Sequence, residues 1–353
     1  MALHFILGPV CSGKTTELLR HGHRFSAIQW SILFISPQKQ HSLPWRVISS
    51  FPIDVSEQLI LIDDAHYFEN PNEWTILKEW LKQGKQVYIS GLDSDAIGNP
   101  YRVLLSWIPY ADTIYKLTAL LPKLNHRFEE GSLSTKNKSL IHSLTLHRSE
   151  DASPIELPSA DYMPHRITGE LSLILGPMFA GKTTELIRQA TRYFHAGATI
   201  LFVNHEWNTR YGTIDICSHD GKRVNLDSSR VYYHRCKLLN DIPKIYELIW
   251  DTIDAIFIEE GQFFEDANSI IPKWLQNEKQ IYISGLDGDA NQQPFGDLCW
   301  LIPWANHITK HRALCRHCGD GTEAPFTRRL IQSEQQVDIG TNDKYEAVCR
   351  KHL

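Results

Sequence analysis

Short apolar runs alternate with longer stretches of helical periodicity along both halves of the chain. In the second half LSLIL (171–175), TILFV (199–203), AIFI (255–258) and QIYIS (280–284) are nearly continuous apolar segments. Runs of that length between helical stretches predict parallel strands buried on both faces of a sheet. From Thr183 onward Leu186, Ile187, Ala190, Tyr193 and Phe194 recur at helical spacing, and Gly197 supplies a stop. The pattern is βαβ, and the expected fold class is α/β.

The first half repeats the second. GPVCSGKTTELLR (8–20) matches GPMFAGKTTELIR (176–188), and SILFIS (31–36) lies over TILFVN (199–204), both at 182 − 14 = 168 positions. VYISGLDSDA (87–96) matches IYISGLDGDA (281–290), and WIPYADTIYKLTAL (107–120) matches LIPWANHITKHRAL (301–314), now at 285 − 91 = 194. Four ordered matches identify one duplicated ancestral unit. Ile62 pairs with Ile258 at an offset of 196, so the first copy is 196 − 168 = 28 residues shorter ahead of LILIDDAHYF. The repeat stops near Leu121, and nothing in the first copy corresponds to Cys315–Leu353. The expected organisation is a P-loop domain over 1–121, a Ser- and Pro-containing linker over 122–168, a second P-loop core over 169–314 and a small lobe over 315–353.

Length and composition narrow the function. The 353 residues suffice for two ordinary domains, with 42% hydrophobic and 22% charged residues as in a soluble globular protein. The net charge of −5 argues against a broad nucleic-acid footprint. No apolar stretch is long enough to span a bilayer, so no membrane partner is expected. The start MALHFILGPV lacks a basic region and a cleavage site, which gives the expectation of a cytoplasmic protein. Seven cysteines, three of them at Cys315, Cys318 and Cys349, suggest metal binding rather than disulfides.

Two motifs then specify chemistry. GPMFAGKT satisfies G-x-x-x-x-G-K-[ST], with a strand before it and a helix after it. In the loop Gly176, Pro177, Met178, Phe179, Ala180 and Gly181 the glycines would let backbone N–H groups, which Pro177 lacks, turn onto phosphates. Lys182 would reach the terminal phosphates, and the hydroxyl of Thr183, followed by Thr184, would suit Mg²⁺. The bland alternative is a turn with an accidental lysine. Glu259 and Glu260 end an apolar strand, so one carboxylate can serve the metal and the other take a proton from an acceptor hydroxyl. The competing reading is two solvated acids. CRHC (315–318) and CRKH (349–352) offer Cys315, Cys318, Cys349 and His352 as four ligands for a closed, structural Zn²⁺, with His317 the weaker candidate. Incidental surface cysteines are the alternative there.

With these motifs in order, residues 169–353 resemble the type II thymidine kinases, the tetrameric, zinc-containing class. The resemblance rests on GPMFAGKTTELIR, NTRYG and CSHDG, FIEEGQFF, GLDGDANQQPFG, CRHC and IGTNDKYEAVCRKH. It implies phosphorylation of thymidine, or deoxyuridine, at the 5′-hydroxyl by ATP. Glu260 would be the general base, with Lys182, Thr183, Glu259 and Arg210 serving ATP and Mg²⁺. Met178, Phe263, Leu286 and Phe295 would form the nucleoside pocket, and Gln262 would contact the sugar. A lasso from Thr327 to Tyr345 would cover the base, with main-chain atoms near Ile339 and Gly340 reading it. Departures from the family pattern are Glu259 in place of Asp, Asn208 in place of Asp, Thr341 in place of Gly, and KHRALC at 310–315.

The first copy keeps Gly8, Gly13, Lys14 and Thr15, a possible second nucleotide site. Asp64 stands where the base would be, His66 where Gln262 is and Tyr67 where Phe263 is; Leu121 and Leu124 stand where the first zinc pair would be. No kinase activity is expected from it. Its expected role is that of a tethered neighbour, so that two chains would present four lobes. The alternative for the whole chain is a P-loop ATPase, nucleotide sensor or nucleic-acid-binding module with a structural zinc knuckle.

Overall fold

A computed structural model of the chain describes residues 1–10, 12–37, 43–95, 98–122, 128–131, 169–207, 229–330, 336 and 343–353. The chain divides into two compact units, Met1–Arg166 and Ile167–Leu353. No helix among the described residues is long and apolar enough to cross a membrane.

In the first unit β1 (Ala2–Leu7), β2 (Ile32–Ile35), β3 (Arg46–Ile48), β4 (Leu59–Ile62), β5 (Gln86–Gly91) and β6 (Thr113–Lys116) form one parallel sheet in the order β3-β2-β4-β5-β1-β6. An antiparallel pair, β7 (Ala119–Pro122) with β8 (Phe128–Gly131), follows. The second unit repeats the parallel sheet with β9 (Glu170–Leu175), β10 (Ile200–His205), β11 (Val231–Cys236), β12 (Ala255–Glu259), β13 (Gln280–Gly285) and β14 (His307–Lys310), in the order β11-β10-β12-β13-β9-β14. Both units are therefore α/β with parallel sheets, as the apolar runs predict; the edge strands β11 and β14, which bring the second sheet to six strands, lie outside those runs.

Six of the seven buried positions in the two cores correspond; Ala190 and Tyr88 are the exceptions. Ile174, Leu186, Ala190, Ile200, Phe202, Ala255 and Phe257 form the cluster in the second unit. Ile6, Leu18, Ile32, Phe34, Leu59, Leu61 and Tyr88 form the cluster in the first. Each joins the sheet to the helix that follows the glycine-rich loop, Lys182–His195 or Lys14–Ser26. The Lys182–His195 helix has Glu185 in its first turn and Arg192 and His195 in its last, the arrangement that opposes the helix dipole. It ends where the sequence predicts. Gly197, with φ 92°, donates to Phe194 O, and Ala198 donates to Tyr193 O, which closes the last turn through a left-handed residue.

Gly176 joins β9 to the loop at φ 140°, and a Cβ there would lie 2.4 Å from the carbonyl oxygen of His311. Gly8 repeats the close approach in the first unit, against the carbonyl of Leu117 at 2.5 Å. Beneath the second loop a buried ion pair, Lys310 with Asp287 at 2.6 Å, spans the C-terminal end of β9. Lys116 and Asp93 form the same pair in the first unit.

Two antiparallel pairs follow β14: β15 (Ala313–Leu314) with β16 (Glu323–Ala324), and β17 (Phe326–Arg329) with β18 (Tyr345–Val348). Ala313, Ala324, Phe326, Ala347 and Val348 bury one face together with Ala180 and Phe179 of the glycine-rich loop. The small lobe is thereby packed onto that loop.

Candidate active site and metal centre

In open parallel sheets ligands gather beyond the carboxyl ends of the strands. The second unit places both of its chemical motifs there. The loop Gly176–Gly181 leaves β9, and the acids Glu259 and Glu260 end β12, with β13 between them in the sheet. Gly181 sits at the head of the Lys182–His195 helix in a left-handed conformation, with φ 77° and ψ 18°, and makes no side-chain cap. The N–H groups of the first turn are thereby left to face an anion. Lys182 Nζ donates to Pro177 O at 2.7 Å, folding the ammonium back over the loop.

Glu259 is 2% exposed and is held from both sides. Thr183 Oγ1 donates to its Oε1 at 2.8 Å, and Asn204 Nδ2, from the neighbouring strand β10, donates to its Oε2 at 3.2 Å. The extra methylene relative to Asp therefore does not prevent contact with the Thr183 hydroxyl. Together these oxygens are the hard donors that Mg²⁺ prefers.

Glu260 turns away. Its backbone is left-handed, φ 53° and ψ 47°, an uncommon conformation for a residue with a long side chain. Gln262 Nε2 donates to Glu260 Oε2 at 2.6 Å, and Gln262 Oε1 accepts from the N–H of Leu286 at 3.0 Å. Gln262 is 4% exposed and lies close over Gly285, where a Cβ would stand 2.5 Å from Gln262 Oε1. The buried amide thus fixes the second carboxylate independently of the first.

Phe263 follows on the same turn. Phe295 meets its ring edge-on at 5.8 Å, and His205 and Trp207 stand at 5.6 Å and 5.9 Å. Met178 N donates to Thr327 Oγ1 at 3.0 Å, which ties the loop to β17. Tyr345 on β18 accepts from Arg329 Nη2 at 3.0 Å. Between them in sequence, Gln336 Nε2 donates to Asp289 Oδ2 at 3.0 Å and to Pro294 O at 3.3 Å. Arg210, Ile339 and Gly340, with Asn208 and Thr341, lie outside the described residues.

The four expected metal ligands converge. Donor atoms of Cys315, Cys318, Cys349 and His352 all lie within 4.8 Å of one another. His352 Nδ1 is 3.5 Å, 3.4 Å and 3.3 Å from the three sulfurs in that order, and Cys318 Sγ is 3.7 Å from Cys349 Sγ. Ligands at ordinary Zn–S and Zn–N lengths with tetrahedral angles stand about 3.5–3.8 Å apart. The cluster fits zinc, and all four corners are protein. His317 is engaged elsewhere, 3.0 Å from Glu346. Burial opposes ionisation of Cys315, but the N–H groups of Cys349, Cys318 and His317 outweigh it and bring the thiol down to about 6.

The family model described as thymidine kinase matches residues 1–50, 45–126 and 169–353, both halves of the chain. The chain belongs to the thymidine kinase family. Thymidine kinase of Myxoma virus (strain Uriarra) is 37% identical over 183 residues, which is 52% of this chain and 95% of that protein. Thymidine kinase of Amsacta moorei entomopoxvirus is 35% identical over 182 residues, 51% of this chain and 95% of its own length. Thymidine kinase 1 of Dictyostelium discoideum is 35% identical over 186 residues, 52% and 78% of the two chains. Each of these relatives is matched nearly whole, or over most of its length, by about half of this family member.

Four contributors escaped the sequence reading: Asn204, the Lys310–Asp287 pair, the His205 and Trp207 rings, and Gln336. The ion pair alone left a sequence signal, because Asp93 and Lys116 repeat Asp287 and Lys310 at the same offset.

Proposed function

We propose that the Ile167–Leu353 unit transfers the terminal phosphoryl group of ATP to the 5′-hydroxyl of thymidine, with deoxyuridine the second acceptor to test. The loop N–H groups and Lys182 bind the polyphosphate, and Arg210 assists them. Thr183 and Glu259 supply the oxygens for Mg²⁺, which when bound neutralises charge on the phosphates. Glu260 Oε2 accepts the hydroxyl proton as the new O–P bond forms and the bond to the ADP leaving oxygen breaks. Gln262 holds that carboxylate by its amide N–H and also lines the sugar site. Met178, Phe263, Leu286 and Phe295 receive the flat base, and the segment between Thr327 and Tyr345 closes over it. The zinc centre is structural: it fixes the lobe that packs on Phe179 and Ala180. Self-association, with two chains presenting four P-loop lobes, rests on the duplication and is read by sedimentation.

One observation supports the reading most strongly: adjacent carboxylates have separate partners, Glu259 with Thr183 and Glu260 with Gln262. That division gives one acid to the metal and one to the proton. Glu260→Gln tests it directly. The variant should lose about 10²–10⁴-fold in phosphate transfer, the range for a general base, while still binding ATP. Turnover close to that of the unmodified chain would refute the assignment.

A further inference from the structure

The first unit has the same loop; of the lobe its described residues show one antiparallel pair, β7 with β8, where the second unit has β15 with β16. Lys14 Nζ donates to Pro9 O at 2.6 Å, within 0.1 Å of the Lys182–Pro177 contact. Thr15 Oγ1 donates to Asp63 Oδ1 at 3.2 Å, repeating the Thr183–Glu259 contact. Asp63 also accepts from Ser90 Oγ. Gly13 heads the helix with φ 82° and ψ 18°, where Gly181 has 77° and 18°. Burying a lysine and an acid is costly unless each has partners, yet Lys14 is 8% and Asp63 2% exposed.

Two further features point to a ligand. Ser12 Oγ, in the loop itself, is buried and has no hydrogen-bond partner among the described residues; the second loop has Ala180 at that position. His66 replaces Gln262 without loss of the scaffold, because its Nδ1 accepts from the N–H of Leu92 at 3.3 Å, as Gln262 Oε1 accepts from Leu286. Burial first, and then the charge of Lys14, push the imidazole down to about 3, so the ring stays neutral beside the loop.

We infer that the first unit is a second nucleotide site, which holds a magnesium nucleoside triphosphate by its phosphates and does not transfer it. Lys14, the loop N–H groups and Ser12 Oγ take the phosphate oxygens; Thr15 and Asp63 take the cation. Transfer fails because Asp64 keeps the left-handed backbone of Glu260, φ 50° and ψ 40°, on a side chain one methylene shorter. The base goes largely unread, since the first copy lacks the 28-residue segment and Leu121 and Leu124 stand where zinc ligands would anchor a lobe. The inference rests on reading the second loop as a phosphate cradle, but not on the identity of its acceptor.

Hydrogen exchange of the full chain with and without Mg²⁺ and ATP tests it without any substitution. Backbone amides of residues 8–20 and of residues 176–188 should both slow by at least about tenfold at saturation. In Lys182→Ala the protection at 8–20 should persist, and in Lys14→Ala it should disappear while that at 176–188 remains. Protection at 176–188 alone would overturn the second site and leave the proposed kinase site standing. Protection at neither loop would overturn the phosphate-cradle reading on which both rest.

Discussion

Glu260→Asp is the sharpest perturbation of the proposed chemistry, because the chain itself contains the comparison. Asp64 in the first unit and Glu260 in the second have backbone angles within 10° of each other, 50° and 40° against 53° and 47°. The main chain has therefore not moved to compensate for the shorter acid, and an aspartate at 260 should withdraw its carboxylate by one C–C bond, about 1.5 Å. It would also lose the 2.6 Å contact from Gln262 Nε2 that aims it. A misplacement of about 1 Å at a reacting group costs on the order of 10²-fold. A loss in kcat of about 10²–10³-fold is expected, equivalent to about 3–4 kcal/mol of barrier. KM for ATP should hold within about threefold, since Lys182, Thr183 and Glu259 are untouched. Steady-state transfer of labelled phosphate to thymidine measures both constants. A variant retaining more than about a third of kcat would refute the geometric argument.

Other expectations follow from the same contacts. Removing the metal with a chelator, or replacing Cys349 by Ser, should release about one zinc per chain, loosen the lobe that packs on Phe179 and Ala180, and raise KM for thymidine. Metal analysis together with KM reads this, and unchanged kinetics after complete zinc loss would contradict it. His66 has a folded pKa of about 3 against an ordinary 6.5, so between those values the unfolded chain binds the extra proton. Its effect is neutral above about pH 6.5, and stability falls as pH drops below that, by at most about 1.4 kcal/mol per pH unit. Urea unfolding from pH 4.5 to pH 7 should show a shallower slope in His66→Gln, and equal slopes would refute the assignment.

Much of this architecture was legible in the residue pattern, because it depends on local period and on spacing. Apolar runs of four to six residues marked the buried parallel strands, and the duplicated blocks supplied an internal check on each of them. The glycine-rich loop was legible because its chemistry is contiguous, and the zinc ligands because two short pairs carry the whole coordination set. What the pattern could not give is lateral contact. Asn204 reaches Glu259 only because β10 and β12 are neighbours in register, with Asn204 opposite Glu259. His205 and Trp207 stand against Phe263 through the same adjacency. That His66 takes over the acceptor role of Gln262, and not only its position, was hidden for a different reason: a ring nitrogen and an amide oxygen are unlike as side chains and alike as acceptors.

The central claim is that phosphoryl transfer belongs to the second unit alone. Transfer of labelled phosphate from ATP to thymidine by the full-length Lys182→Ala chain tests it most directly. The account predicts a fall to background, although Lys14 and its loop remain intact. Transfer persisting at half or more of the unmodified rate would place chemistry in the first unit and contradict it.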